Sequence, residues 1–300
     1  MKKTTTIIWW ILVGILALSP ACDFVDPPYF DSVTLDDVEL DRECLEKIPA
    51  DPFAEPPVRK VLFEEYTGHK CVNCPEASEI AYRLAAETYK DRAFLVSVHA
   101  TGLAEPDPAP SKYTEDYTTE AGDEYKSHFQ VVAVPLGLIN RQLRSNGRYF
   151  FTDGEWNAAI SNELELEPEV QIHITNCYDE ASRDLKVVAD IKYLTDASDQ
   201  EYYSVWLVED SITGWQKDGR RTPQDVENYV FHDVFRGSLN GTWGQPLNDG
   251  TVANEGDIFR KAIGYTVPDN YDPRHCKILV FIHDFETRRI RQVEEAYILE

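Results

Sequence analysis

Apolar positions keep two different rhythms along this chain, one on each side of Pro168. From 58 to 166 strand-like and helix-like stretches alternate. "VRKVLFEEY" is a short strand-like run. "CPEASEIAYRLAAETY" follows, with Ile80, Ala81, Leu84, Ala85 and Tyr89 at the spacing that gives a helix one apolar face. "RAFLVSVHA" is continuously apolar, as a strand buried on both faces of a sheet is. "TTEAGDEYKSHF" predicts a second helix, "VPLGLINR" a strand, and "GRYFF" its hairpin partner across Ser145-Asn146-Gly147. Asp153 predicts the N-cap of a helix over "GEWNAAISNELEL". Strand and helix in alternation predict a small α/β sheet domain over 58–167.

Beyond Pro168 the pattern shortens. "EVQIHITNCY", "DLKVVADIKYL", "EYYSVWLVED", "NYVFHDVFRGSL", "DIFRKAIGYTV", "CKILVFIHDF" and "RQVEEAYIL" are runs rich in β-branched and aromatic residues. Turn clusters such as "DASDQ" and "LNDG" separate several of them. They predict an all-β sandwich of immunoglobulin or fibronectin type over 168–300.

The opening "MKKTTTIIWWILVGILALSPAC" places Lys2 and Lys3 before an apolar run from Ile7 to Leu18. As a helix that run is about 18 Å long, short of the ~30 Å hydrocarbon core of a bilayer. It predicts an export signal, 1–21, rather than a retained span. Cys22 stands where bacterial lipoproteins are acylated. The segment resembles a lipobox, although Ser19 takes the place of the usual Leu; Ser19-Pro20-Ala21 also fits ordinary signal cleavage, which would leave a soluble protein. Residues 22–57 are acidic and proline-punctuated and predict a tether. The expected location is the bacterial cell envelope, as an outer membrane lipoprotein facing the periplasm or the surface.

Composition narrows the partners. Lys and Arg number 29 against 53 Asp and Glu, a net charge of −24. Such a field repels phosphates and anionic headgroups, which argues against nucleic acid and leaves the acyl anchor as the expected membrane contact. Hydrophobic content of 43% with 12% aromatics supplies real cores.

The six cysteines carry the chemistry. Cys71 and Cys74 enclose Val72-Asn73 just where a strand gives way to a helix. A zinc site would need a second ligand pair, and Cys44, Cys177 and Cys276 are scattered singly, so neither metal nor cofactor is expected. A redox dithiol needs its first cysteine at a helix N-terminus, where the dipole favours thiolate. On that reading Lys70 and His69 add positive charge, Cys71 is the nucleophile and Cys74 the resolving thiol. The third reading is a structural Cys71–Cys74 disulfide, formed in an oxidising compartment and never reopened. Cys177 and Cys276 lie in predicted strands and can pair across the sandwich, leaving Cys44 over in the tether; the alternative is two separate buried thiols. His99 and His128 either approach the dithiol or finish their elements at the surface. His232 and Arg236 share one side of a strand, facing solvent or a groove with "EDSITGWQ".

Strand, CxxC, helix and then Val134-Pro135 before the next strand resembles the thioredoxin fold over 58–166. The resemblance implies that Pro135 is a cis-proline packed against the dithiol, and that Glu65 is a buried acid moving protons during exchange. Lys70 replaces the usual Trp, and Val72-Asn73 the usual Gly-Pro. "EEYTGHKCVNCPEA", "TTEAGDEYKSHFQVVAVPLGLINR" and "VWLVEDSITGWQ" with "NYVFHDVFRGSLNGTWGQPL" together resemble the outer membrane protein 28 family of Bacteroidota. In that family a lipoprotein signal precedes a thioredoxin-like domain and a β-sandwich. Two functions follow as expectations. One is a thiol–disulfide oxidoreductase acting on client protein thiols or disulfides. The other is a non-catalytic envelope or adhesion lipoprotein with a cell-surface partner and an inert CxxC.

Overall fold

The computed structural model describes residues 32–53 and 55–299. The predicted signal 1–21 and Cys22 lie outside the described residues. A hairpin of β1 (Ser32–Leu35) and β2 (Val38–Asp41) leads into α1 (Arg42–Lys47). Then come β3 (Val61–Thr67), α2 (Cys74–Arg83), β4 (Ala93–His99), α3 (Glu120–His128), β5 (Leu136–Ile139), β6 (Phe150–Phe151) and α4 (Asp153–Leu164). The cap of α4 is Thr152, one residue before the predicted Asp153, because Thr152 and Glu155 close a capping box.

Strands dominate the rest. They are β7 (Val170–Tyr178), β8 (Asp184–Tyr193), β9 (Glu201–Glu209), β10 (Ile212–Lys217), β11 (Asp225–Phe231), β12 (Val234–Ser238), β13 (Gln245–Pro246), β14 (Ile258–Thr266), β15 (Cys276–Asp284) and β16 (Ile290–Tyr297). The fold is mostly β-sheet. Among the described residues no helix is long and apolar enough to cross a membrane.

The boundary expected at 167/168 is not a boundary in space. One nine-stranded sheet runs β16-β15-β9-β12-β4-β3-β5-β6, with β13 also on β9. The join is β12, which meets β4 in parallel at Val234↔Ser97 and β9 antiparallel on its other side. A separate three-stranded sheet, β14-β8-β7, packs behind β9 and β15. A free-standing sandwich over 168–300 is therefore corrected to two sheets, one of them shared with the α/β part. Alternation along β9 and β15 explains the sharing. Tyr203, Val205, Leu207, Ile278, Val280 and Ile282 face the three-stranded sheet, while Trp206, Val208, Leu279 and Phe281 face the α3 side. A strand with apolar partners on both faces reads as a continuous apolar run.

At the centre of the α3-side core Arg141 and Glu64 form a fully buried two-pronged ion pair, with contacts of 2.9 and 3.1 Å. The rings of Tyr125, Phe129, Trp206 and Phe281 lie 4.8 to 5.2 Å from the guanidinium carbon. The pair lets the polar end of one strand sit among aromatic side chains from both halves of the sheet.

The expected tether is docked from residue 32 onward. Leu40 and Cys44 are buried, Asp36 accepts from the Ala262 N–H at 3.0 Å, and Cys44 is joined to Cys177. This replaces the expected Cys177–Cys276 bridge, and the reason is the period of two along β7. Val170, Ile172 and Ile174 point between the sheets; Cys177 points to the opposite face, against α1. Cys276 is a free thiol in the core between the sheets.

Candidate functional site

β3 ends at Thr67, and Gly68 begins a tight loop that carries the two cysteines. A Cβ at Gly68 would lie 2.8 Å from the Leu103 carbonyl group, so only glycine allows the 101–104 loop to close against it. Lys70 N–H then donates to Leu103 O at 2.9 Å, and Cys71 N–H to Gly68 O at 3.0 Å. Helix α2 starts at Cys74, with Pro75 in its first turn, rather than at Cys71 as expected. Cys71 is bonded to Cys74, which holds its sulfur against the first helical turn.

The Val134–Pro135 peptide is cis, and the Val134 carbonyl oxygen lies 3.8 Å from Cys71 Sγ. Both sulfurs are covered: Cys71 is 4% and Cys74 1% exposed. Val72 and Asn73 between them are exposed, as are Leu103 and Val132 in the two flanking loops.

Glu65 is fully buried on β3. It accepts from Ser78 Oγ of α2 at 2.7 Å and from Ser97 Oγ of β4 at 3.4 Å. Burial without a cationic partner pushes its carboxyl up to about 7, against the weaker opposing pull of the two hydroxyls. Ser78 lies one turn beyond Cys74, so the helix that begins at Cys74 also holds the Glu65 carboxyl.

The two residues expected to supply positive charge do not supply it freely. Lys70 Nζ is 2.7 Å from Asp107 in the proline-stiffened loop after β4, and its charge is matched there. His69 is buried beside Tyr113 and Tyr117, and burial lowers its pKa, which favours the neutral ring. Of the groups expected beside Cys71, the first turn of α2 at Cys74 is the one left without a neutralising partner or a lowered charge.

A hairpin that sequence reading missed lies over the loop. β10 and β11 pair with each other and leave the large sheet. Lys217 N–H donates to His69 O and Gly219 N–H to Val72 O, each at 2.8 Å, and Gln216 Nε2 donates to Cys71 O at 3.0 Å. Arg220 at its tip grips Glu79 of α2 through contacts of 2.8 and 2.7 Å. The run "NYVFHDVFRGSL" is broken at Asp233, whose φ of +51° ends β11 and starts β12. His232 pairs with Asp210 at 2.9 Å and Arg236 with Glu209 at 2.7 Å, both in the stretch "EDSITGWQ" begins. His128 packs on Phe129 and Trp243, and His99 is buried.

A family model described as outer membrane protein Omp28 matches residues 122–300. The matched span includes Pro135 and the hairpin, and it begins after Cys71 and Cys74. HBP35 of Porphyromonas gingivalis is similar in fold, with a TM-score of 0.58 at 12% identity over 80% of this chain and 76% of that one. A domain of the outer membrane lipoprotein Omp28 from the same organism aligns with a TM-score of 0.30 at 18% identity, covering 44% of this chain and 90% of that chain. No curated protein matches the chain.

Proposed function

Because the chain belongs to the outer membrane protein Omp28 family, we propose that it serves in the cell envelope as an acyl-anchored thiol–disulfide oxidoreductase. Its α/β part acts as a thioredoxin-like unit. The observation that carries this reading is the seating of the Cys71–Cys74 bond, between the start of α2 and the carbonyl preceding cis-Pro135. A purely structural bridge that closes so short a loop contributes little stability by chain entropy.

In the oxidising direction a client thiolate attacks Cys71 Sγ. The Cys71–Cys74 bond breaks, and Cys74 leaves as a thiolate that takes its proton by way of Glu65. A second client thiolate attacks the client sulfur of the mixed disulfide and releases Cys71 as thiolate. Two client thiols are oxidised to a disulfide and the protein's disulfide is reduced. The reverse sequence reduces a client disulfide. A carboxyl near 7 is suited to proton transfer in either direction at neutral pH.

One observation favours the competing reading, a binding lipoprotein with an inert bridge: both sulfurs are covered. A trap separates the two. Reduced Cys74→Ser protein mixed with a labelled disulfide peptide should hold the label on Cys71 until dithiothreitol releases it, and Cys71→Ser should hold none. Equal labelling of both variants, or of neither, leaves only the binding reading.

A further inference from the structure

A cavity of about 360 Å³ lies between α2, the ends of β3 and β4, and the β10–β11 hairpin. It exists because β11 leaves the sheet instead of pairing with β4, so the hairpin roofs a gap that β12 fills only at Val234. His99 lines it and is 3% exposed, and neither ring nitrogen makes a well-formed hydrogen bond, a loose approach to the Ser97 backbone aside. Its ring is fixed by Tyr117 and Phe231 at 5.1 and 5.4 Å. A buried imidazole with both nitrogens unserved is costly unless something in the cavity serves it.

The other walls restrict what that is. Tyr82 stacks on His232 with ring centroids 4.2 Å apart, and Tyr229 and Phe231 add further ring surface. Ser78 and Ser97 line the polar side, already donating to Glu65. Glu79 at the edge is taken up by Arg220. An anion meets Glu65 behind the two serines and Glu79 at the rim, and a cation meets Arg83 in the wall and the field of Arg236 at the His99 end. A neutral imidazole offers one donor and one acceptor, and a hydroxyl group supplies either complement.

We propose that this cavity binds a small uncharged aromatic compound bearing a hydroxyl group, its ring among Tyr82, Tyr229 and Phe231 and its hydroxyl on His99. The volume is at the low end of small-molecule sites and suits one or two fused rings. The proposal is independent of dithiol exchange and survives its failure.

The probe is 2-naphthol, titrated into the full mature chain by fluorescence anisotropy, with naphthalene and 2-naphthoate as comparisons. Saturable one-to-one binding of 2-naphthol is expected, with 2-naphthoate at least tenfold weaker. His99→Phe should weaken 2-naphthol at least tenfold and leave naphthalene within twofold. Val230→Trp, at an exposed position on the rim, should abolish binding of both and decides the matter if His99→Phe does not fold. Non-saturable binding by the wild type overturns the proposal. So does 2-naphthol affinity unchanged in folded His99→Phe, or retained in Val230→Trp.

Discussion

Replacing Glu65 by Gln tests the central electrostatic feature of the site through stability. The carboxyl has an ordinary value of 4.5 and is pushed up to about 7 by complete burial. At ~1.4 kcal/mol for each pH unit, holding it charged costs the native state about 3 kcal/mol above pH 7. The sign follows from proton counting. Between 4.5 and 7 the native state binds a proton there that the unfolded chain has lost, so this group's contribution to stability falls as pH rises through that window. Gln has the same shape and no charge. It can accept from one serine hydroxyl and donate to the other, so its own cost is small and the same at every pH. Glu295 is also raised to about 7, but it is common to both proteins and cancels in the difference. The assay is urea unfolding of wild type and Glu65→Gln from pH 4 to pH 8.5. The variant should gain on the wild type by about 3 kcal/mol between the ends of that range. A difference that stays flat with pH would refute the reasoning, because the carboxyl would then share one pKa in both states.

Two further outcomes follow from the fold. Arg141→Ala leaves Glu64 charged inside a ring-lined core and should cost about 3–5 kcal/mol in urea unfolding, whereas replacing both by apolar residues should recover much of it; a single-variant loss below 1 kcal/mol contradicts the buried-pair account. Cys44→Ser opens a bridge spanning 133 residues, worth up to about 5 kcal/mol by chain entropy. It should also make residues 32–48 the first site of trypsin cleavage, and unchanged stability with unchanged cleavage would mean that the hairpin and α1 do not depend on that bridge.

Much of the site was written locally in the sequence. Cys71, Cys74 and Pro135 announce themselves because a CxxC between strand and helix, and a Val-Pro before a strand, are short-range signals. From β3 to α4 the order of helices and strands was readable from periodicity for the same reason. What could not be read depends on contacts distant in sequence. An apolar run such as β9 looks the same whether its second face meets a helix or another sheet, so the change of texture at Pro168 looked like a domain boundary. Cys177 offered no sign of which face it would take until the phase of β7 was fixed by Val170, Ile172 and Ile174. Lys70 stands next to Cys71 in sequence, yet Asp107, 37 residues on, takes its charge. The signal that would have found the hairpin was Asp233, a residue type that tolerates positive φ in the middle of a β-rich run. Ser78, Ser97 and Gln216 carry no signature of their own; only the position of Glu65 gives the two serines a role.

The most direct test of the account is the redox equilibrium of Cys71–Cys74 in the folded protein, read by mass-shift alkylation across a glutathione series with Cys44–Cys177 as internal control. A working exchange centre should titrate between roughly −120 and −270 mV while the 44–177 bridge stays oxidised. A Cys71–Cys74 bond that resists reduction to below about −300 mV, or opens only as the protein unfolds, would be an inert bridge and would contradict it.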